Sequence, residues 1–528
     1  MRKDRMRLLS SLIVVLAMTS ASAQTAAPVP RLVVTVMIDQ LRSDYLDAFS
    51  PLYGEGGFAR LMKDGRVYEG AQYPVAQVDR ASSIATMFTG AVPYDHGVVG
   101  EQWLDRSTLR PVYCVDDAAF KGWNTTETTS PKNLAVSTIS DELKVATDGK
   151  ALVYSIAPYR DAAVLAAGHA ADGAFWINDL TGLWVGSSFY KNQPAWVSVC
   201  NNTYPLKKNL GKQFYEPYSA AVGTFNYFPS GGMVTPFKHK FDPARPVASY
   251  KTSALVNEHV NHLAEACLNN TTIGADNVTD FLALTYYAGG FEHKTAAESP
   301  MEIQDAYVRL DQCIKDLLQA IDRKVGLDKT LVVLTSTGYV ENENVDYSAY
   351  RIPQGTFFIN RTSALLNMYY MAVYGQGQYV DGVFGNQIYL NHKLLEEKQL
   401  NIVDVLERGH EFLLQCSGVK DVYTSQRLTQ GAWTPGISRM RNGYNPKCSG
   451  DIFVEVSPGW RLVNEEMNTS HQVRSSYVEF PLIFFGYNIE SSKIFVPTSV
   501  DVVVPTLAHF MRIRAPNACS TAPLVIRD

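Results

Sequence analysis

"MEIQDAYVRLDQCIKDLLQAIDRKVG" (residues 301–326) leads directly into "TLVVLTSTG" (330–338), and this pair of segments decides the fold class. In the first segment, apolar residues recur at spacings of three and four, which predicts a long amphipathic helix. The second is a continuous apolar run that ends in polar residues, as is typical of a strand buried on both faces. A helix that leads into a buried strand is the repeating unit of α/β proteins with a parallel sheet.

Further segments repeat this alternation along the chain. Apolar runs predict buried strands, and "SSIATMFTG" (82–90) predicts a helix. The predicted strands are 31–39, 151–157, 280–287, 330–338 and 481–489. We therefore predict the α/β class, with a mostly parallel β-sheet sandwiched by helices. Functional groups of such sheets gather at the carboxyl ends of strands, which directs attention to Asp39 and to the stretches 285–294 and 335–339.

Two stretches lack the helix–strand rhythm, and the first residues have a different character again. Residues of about 160–250 and 355–450 are rich in Tyr, Gly, Asn and Pro, so we predict insertions there that cap the functional face of the sheet. The chain opens with basic residues, the short apolar run "LLSSLIVVLAM" and an A-x-A site, which predicts a signal peptide over 1–23. That run is too short to span a bilayer, and no transmembrane span is predicted in the mature chain, 24–528.

The composition is that of an ordinary globular protein, with 46% hydrophobic and 19% charged residues. The formal net charge of −5 argues against a nucleic-acid partner, which would need a basic face. None of the seven cysteines lies in a C-x-x-C pair, so no thiolate zinc site is predicted. In an oxidising compartment some cysteines can pair, and an odd number leaves at least one outside such pairs.

Several longer segments resemble one known group of enzymes. They occur in the family order from residue 31 to nearly the end of the chain, and together they resemble the alkaline phosphatase superfamily, in its bacterial phosphate-irrepressible alkaline phosphatase branch. The resemblance implies that residues 24–528 form one alkaline-phosphatase-like domain. The segments are "MIDQLRSDYL" (37–46), "FTGAVPYDHGVVGEQWLDR" (88–106), "AAGHAADGAFWINDLTG" (166–182), "CSGDIFVEVSPGW" (448–460) and "SHQVRSSYVEFPLIFFGYNIES" (470–491).

The resemblance implies a definite site. Such enzymes hold two zinc ions, and a Thr or Ser between the metals attacks phosphorus. Asp39 matches a metal-binding Asp of the family, and His471 matches a late His ligand. The nucleophile position, however, falls on Arg80, and the nearest substitutes are Asp79 and Ser82, with Ser83 beside them.

The other expected positions also carry different residues. The family's D-x-x-x-H corresponds to "TYYAGGFEHK" (285–294), which has no Asp. Lys294 stands at the ligand position, and a shift of one residue would place His293 there as a vestigial ligand. The adjacent Asp-His of the family becomes Thr337 and Gly338. The helper Asn becomes Glu101, and the substrate-gripping Lys and Arg become Tyr159 and Asp161.

These substitutions predict a protein that has lost catalysis. A catalytic zinc needs at least three protein ligands, and each metal would keep about one of them here. We predict an exported pseudo-phosphatase without a bound cofactor, acting as a binding or assembly module in the periplasm or at the outer membrane, with an envelope protein as its partner. In this interpretation Asp39 and Arg80, together with Asp79 and Lys294, form salt bridges that replace the metals.

Two other interpretations stay open at the level of sequence. The first is an active zinc-dependent phosphomonoesterase or phosphodiesterase with a rearranged site, in which Ser82 or Ser83 attacks. A relocated metal site at His293, Glu292 and Glu341 belongs to the same class. The second is a ligand-binding protein that uses the old cleft for an uncharged or cationic group.

Overall fold

The predicted buried strands lie side by side in one large β-sheet. The structure, a computed structural model, describes residues 28–223, 236–341, 347–431, 434–474 and 478–526. The predicted signal peptide (1–23) lies outside the described residues. Within them, no helix combines the length and the apolar character needed to cross a bilayer.

The elements are numbered in chain order through the described residues. The strands are β1 Leu32–Asp39, β2 Arg66–Gln72, β3 Gln102–Asp105, β4 Arg110–Tyr113, β5 Asp116–Trp123, β6 Thr128–Thr129, β7 Val153–Ala157, β8 Gly173–Ile177, β9 Trp184–Ser187, β10 Asp280–Tyr287, β11 Thr330–Ser336, β12 Thr356–Phe358, β13 Val380–Phe384, β14 Gln387–Leu390, β15 Val419–Thr424, β16 Ile452–Val456, β17 Arg461–Asn464, β18 Thr469–Gln472, β19 Phe480–Gly486, β20 Ser492–Ile494 and β21 Thr498–Ser499.

The helices alternate with these strands. They are α1 Ser43–Ala48, α2 Phe58–Asp64, α3 Arg80–Thr89, α4 Pro93–His96, α5 Ile139–Ala146, α6 Arg160–Ala167, α7 Ala195–Thr203, α8 Leu206–Leu210, α9 Pro246–Lys251, α10 Leu255–Asn270, α11 Pro300–Lys324, α12 Ile359–Tyr374, α13 His392–Glu397, α14 Ile402–Leu414, α15 Ser425–Gln430, α16 Pro435–Asn442 and α17 Val503–Met511.

The large sheet confirms the predicted α/β class. Its strand order is β20-β2-β19-β11-β1-β10-β7-β8-β9-β5-β6, with β21 beside β2. The central strands β11, β1, β10, β7 and β8 run parallel to one another, whereas β19 and β9 flank them in the antiparallel direction. The carboxyl ends of β1, β7, β10 and β11 therefore meet at one edge of the sheet.

Strand β1 shows why these runs are apolar on both faces. Val34, Val36 and Ile38 pack into a core that includes α11, and Val33 and Met37 pack into a second core with α3 and α6. Successive side chains of a strand point to opposite faces, so a strand between two helical layers needs apolar residues throughout. Complete burial of each such side chain contributes about 1.5–3 kcal/mol.

The first predicted insertion begins later than 160. Helix α6 connects the parallel strands β7 and β8, and β9 follows as the antiparallel neighbour of β8. Residues 160–187 are therefore part of the central sheet, and the prediction was wrong there because these elements are short. The remainder of 160–250 contains short helices, and residues 224–235 lie outside the described residues.

The second stretch, predicted at 355–450, forms two smaller sheets together with residues 452–472, so the predicted end at about 450 is too early. Strands β13, β14, β16 and β15 form one sheet, and β12, β17 and β18 form another. With α12 and α14 they enclose a separate hydrophobic core. One contact of this unit with the rest of the chain is the 3.0 Å ion pair of Asp451 with Arg106, the residue that follows β3. All seven cysteines of the chain are free thiols in the structure.

Candidate functional site

The start of helix α3 positions Asp79 and Ser82, the two residues predicted as substitutes for the family's nucleophile. Asp79 is the N-cap: its carboxylate accepts hydrogen bonds from the Ser82 backbone N–H (2.9 Å) and from the Ser82 hydroxyl (2.8 Å). The Asp79 N–H in turn donates to the Ser82 hydroxyl at 3.1 Å, which completes a capping box. Ser82 is 2% exposed and Ser83 is fully buried. The hydroxyl of Ser82 is therefore committed to the cap rather than directed at the cleft.

The first residue of α3, Arg80, lies at the centre of the cleft. Its Nε and Nη2 donate to the two carboxylate oxygens of Asp161 at 2.9 and 3.2 Å, a bidentate arrangement. The same Nη2 lies 3.3 Å from Glu101, and Nη1 lies 3.7 Å from Asp39. The predicted contact between Asp39 and Arg80 is confirmed, but Asp161 forms the closer pair. Burial raises the pKa of Glu101 to about 7, although Arg80 opposes this shift.

The ring of Tyr159 contacts the guanidinium of Arg80. The Arg80 Cζ lies 3.9 Å from the ring centroid of Tyr159, and the Lys251 ammonium lies 4.4 Å from the same ring. Both distances are in the range of cation–π contacts. The Tyr113 hydroxyl donates to Asp161 at 2.9 Å, so that carboxylate is fixed as well. Arg80 is consequently held on several sides.

Asp39 ends β1 in a buried position. It is 2% exposed, and the Thr337 hydroxyl donates to its carboxylate at 2.7 Å. Burial raises the pKa of Asp39 to about 6, even though Arg80 and the Thr337 hydrogen bond act in the opposite direction. Gly338, the residue after Thr337, has a φ of +66°. A Cβ placed at this position would lie 2.8 Å from the rings of Tyr73 and Phe480. No side chain has room at that position without a shift of these rings.

The remaining predicted site residues make no direct contact with Arg80, although His293 lines the same cavity. His293 is exposed and pairs with Glu341, whose hydrogen bond raises the pKa of His293. Lys294 is exposed, and the predicted pairing of Asp79 with Lys294 is wrong because Asp79 caps α3. His471 lies on β18 of the small three-stranded sheet, opposite Leu462. Among the residues that the structure describes, no three His, Cys, Asp or Glu side chains come together as a metal site.

A cavity of about 460 Å³ opens beside Arg80. Besides predicted residues it is lined by side chains that the sequence analysis missed, among them Tyr113, Glu127, Trp176 and Lys251. Glu127 accepts a 2.8 Å hydrogen bond from the indole N–H of Trp176. No local sequence pattern marks these residues, because they come from separate elements that only the folded sheet brings together.

Comparison with known proteins identifies the family. A sequence profile described as type I phosphodiesterase / nucleotide pyrophosphatase matches residues 33–478. The chain belongs to this family. Alkaline phosphatase PafA of Elizabethkingia meningoseptica is 28% identical over 539 aligned residues, which cover 98% of each chain. Alkaline phosphatase PhoV of Synechococcus elongatus is 26% identical, over 94% of this chain and 92% of PhoV.

A solved structure supports the same assignment. The crystal structure of wild-type PafA matches with a TM-score of 0.80 at 27% identity, over 95% of this chain and 99% of PafA. The family member described here therefore has the alkaline-phosphatase fold. The predicted resemblance to the alkaline phosphatase superfamily is confirmed.

Proposed function

We propose that this chain is a catalytically silent member of the alkaline phosphatase superfamily whose cleft serves binding instead of phosphoryl transfer. The observation that carries the proposal is Arg80, held by Asp161, Glu101 and Asp39 at the centre of the cleft. A guanidinium is not deprotonated in proteins and has only N–H donors, so it cannot act as a nucleophile. Catalysis by this group is excluded on chemical grounds.

The donor set of the cleft does not fit a pair of zinc ions. A catalytic zinc needs three protein ligands. Here Asp39 is the carboxylate nearest the expected metal position, Thr337 offers only a hydroxyl, and Gly338 has no side chain. The Arg80 guanidinium, 3.7 Å from Asp39, would also repel a dication bound to that carboxylate. We therefore propose a protein without a zinc cofactor.

The proposed role is that of a binding or assembly module in the cell envelope. The predicted signal peptide supports export, and hence a place in the periplasm or at the outer membrane. The partner that follows from this place is another envelope protein. Fold alone does not decide the role, because superfamily members with one fold differ in function.

The second candidate is an active phosphoric-ester hydrolase. The relatives favour it, since proteins named alkaline phosphatases match 94–98% of this chain. Such activity would require zinc held by a ligand set other than the expected one, and a nucleophile other than Arg80. The family and its relatives are hydrolases, which makes a direct assay essential.

The deciding experiment measures zinc and hydrolysis on the same preparation. The full-length mature protein is purified without chelator, its zinc content is measured, and its turnover of an aryl phosphate and an aryl phosphodiester is assayed at alkaline pH with added zinc. PafA serves as the positive control. We expect almost no zinc and turnover equal to the protein-free blank. About two zinc ions per chain, with hydrolysis that Asp39→Ala abolishes, would establish the second candidate instead.

A further inference from the structure

We propose that the cavity beside Arg80 binds a small organic cation that carries an ammonium or guanidinium group. The cavity has a volume of about 460 Å³, within the range of pockets for small molecules. The proposal deepens the proposed function and rests on it, because a phosphatase would need the same space for an anionic substrate.

The charges around the cavity favour a cation. Two guanidinium groups and one ammonium group line it, and three carboxylates line it as well. Three more carboxylates bind the basic groups from outside the cavity, so acidic groups outnumber basic ones by six to three. His293 also lines the cavity, but its pairing with Glu341 adds no net positive charge. The basic residues are Arg80, Arg160 and Lys251; the acidic residues are Glu101, Glu127, Asp179, Asp39, Asp161 and Asp116.

Each basic group already has protein partners. Arg160 donates to Asp116 at 2.6 Å and to the Thr128 carbonyl at 3.2 Å. Lys251 donates to Asp179 at 2.7 Å and to the Ile177 carbonyl at 3.3 Å. A phosphate entering the cavity would have to displace one of these carboxylates and approach the others. Anion binding is therefore disfavoured for two reasons. An existing ion pair would have to break, and the remaining carboxylates would repel the anion.

Two carboxylates that line the cavity, in contrast, can accept further hydrogen bonds. Glu101 contacts Arg80 through Oε1 only, and its side chain is 43% exposed. Glu127 accepts its hydrogen bonds through Oε2, from Trp176 and Asn178 among others. In the described part of the chain, the second oxygen of each carboxylate has no hydrogen-bond partner. A ligand with several N–H donors could donate hydrogen bonds to the second oxygen of both carboxylates.

The aromatic walls narrow the class of cation further. Tyr159 already contacts Arg80 at 3.9 Å and Lys251 at 4.4 Å, and Tyr113 contacts Arg160 at 4.5 Å. A quaternary ammonium is recognised mainly by open aromatic faces, and these faces are occupied by protein cations. Recognition through the carboxylates instead requires N–H donors. We therefore expect primary ammonium or guanidinium groups rather than quaternary ones.

Calorimetric titration of the mature protein tests the proposal. At pH 8, above the pKa of about 7 of Glu101, agmatine is titrated as the probe, and choline, glucose and inorganic phosphate are titrated in parallel. We expect saturable agmatine binding that weakens at higher salt, as interactions between charged groups do, and no comparable binding of the other three. Absence of agmatine binding, or tighter binding of phosphate, choline or glucose, overturns the proposal.

A variant locates the binding to this cavity. Glu101→Gln removes one carboxylate and should weaken agmatine binding about ten- to hundredfold, the usual worth of a hydrogen bond to a charged group. Glu397→Gln is the matched control, an exposed glutamate on α13 that does not line the cavity, and should leave binding unchanged. Equal affinity in Glu101→Gln and the wild type would contradict the assignment of the site.

Failure of the cation site can be distinguished from failure of the proposed function. If the wild type hydrolyses phosphate esters, the proposed function fails whatever agmatine does. If the protein is silent and agmatine does not bind, only the cation site fails.

Discussion

Replacing Asp39 by asparagine should stabilise this protein at neutral and alkaline pH. The folded protein raises the pKa of Asp39 from 3.8 to about 6, mainly by burial. An acid with a higher pKa in the folded state holds its proton more tightly there, so the free energy of unfolding falls as pH rises from about 4 to about 6. The difference between the two pKa values corresponds to a loss of about 3 kcal/mol that is nearly complete at pH 8. Asparagine does not ionise, and its amide oxygen can still accept the hydrogen bond of Thr337.

Urea unfolding of both proteins at about pH 4, 6 and 8 measures this effect. We expect the Asp39→Asn variant to match the wild type at pH 4 and to exceed it by up to about 3 kcal/mol at pH 8. Asp148→Asn, at an exposed aspartate, is the matched control and should show no such dependence. A variant that is less stable than the wild type at pH 8 would refute the reasoning, since it would mean that the carboxylate charge is needed to hold Arg80 or a metal.

Three further substitutions test the site and its scaffold by the same unfolding measurement. Arg80→Thr should lower the free energy of unfolding by about 3–5 kcal/mol near pH 7, because the fully buried Asp161 loses its bidentate partner; unchanged stability would contradict the salt-bridge cluster. Lys144→Met should cost up to about 3 kcal/mol, since Lys144 donates to the buried Asp172 at 2.8 Å and only Lys191 would then pair with that carboxylate; a stabilised variant would show that the Lys144 pair is dispensable. Gly168→Ala should lower the free energy of unfolding by about 1–3 kcal/mol, because φ is +72° and the new Cβ would lie 2.2 Å from the Thr138 hydroxyl. An unchanged free energy of unfolding would show that this turn relaxes.

The sequence predicts the fold well wherever burial imposes a pattern. The helix predicted at 301–326 is found at Pro300–Lys324, and the apolar run at 31–39 becomes β1. Both follow from the requirement that a helix buries one face and a central strand buries two. The segment 160–187 escaped prediction because β8 and β9 are only five and four residues long, too short to show a period.

The sequence predicts contacts in the site only where the position of a residue at the end of a strand or the start of a helix determines them. Asp39 ends a strand and Arg80 begins a helix, so their approach at the edge of the sheet follows from topology. That Asp161 would be the closest partner of Arg80 does not follow, because it depends on α3 and α6 both beginning at the same cleft. Lys251 is more distant still in sequence, and its contact with the Tyr159 ring exists only in the folded chain.

The arrangement at Arg80 bears on the proposal that this cleft holds no metal. Loss of ligands alone would leave Asp39 as a buried carboxylate without a cation, which costs several kcal/mol. Here a guanidinium lies beside it and binds two further carboxylates, so the cleft has a cation of its own. The pocket at Gly338 is filled as well, because Tyr73 and Phe480 leave no space for a ligand side chain. Removing Arg80 should therefore not restore a metal centre: the Arg80→Thr protein, titrated with zinc and measured after gel filtration, should retain no more zinc than the wild type. Retention of two equivalents would mean that Arg80 is the single obstacle, and that the rest of the site is still competent.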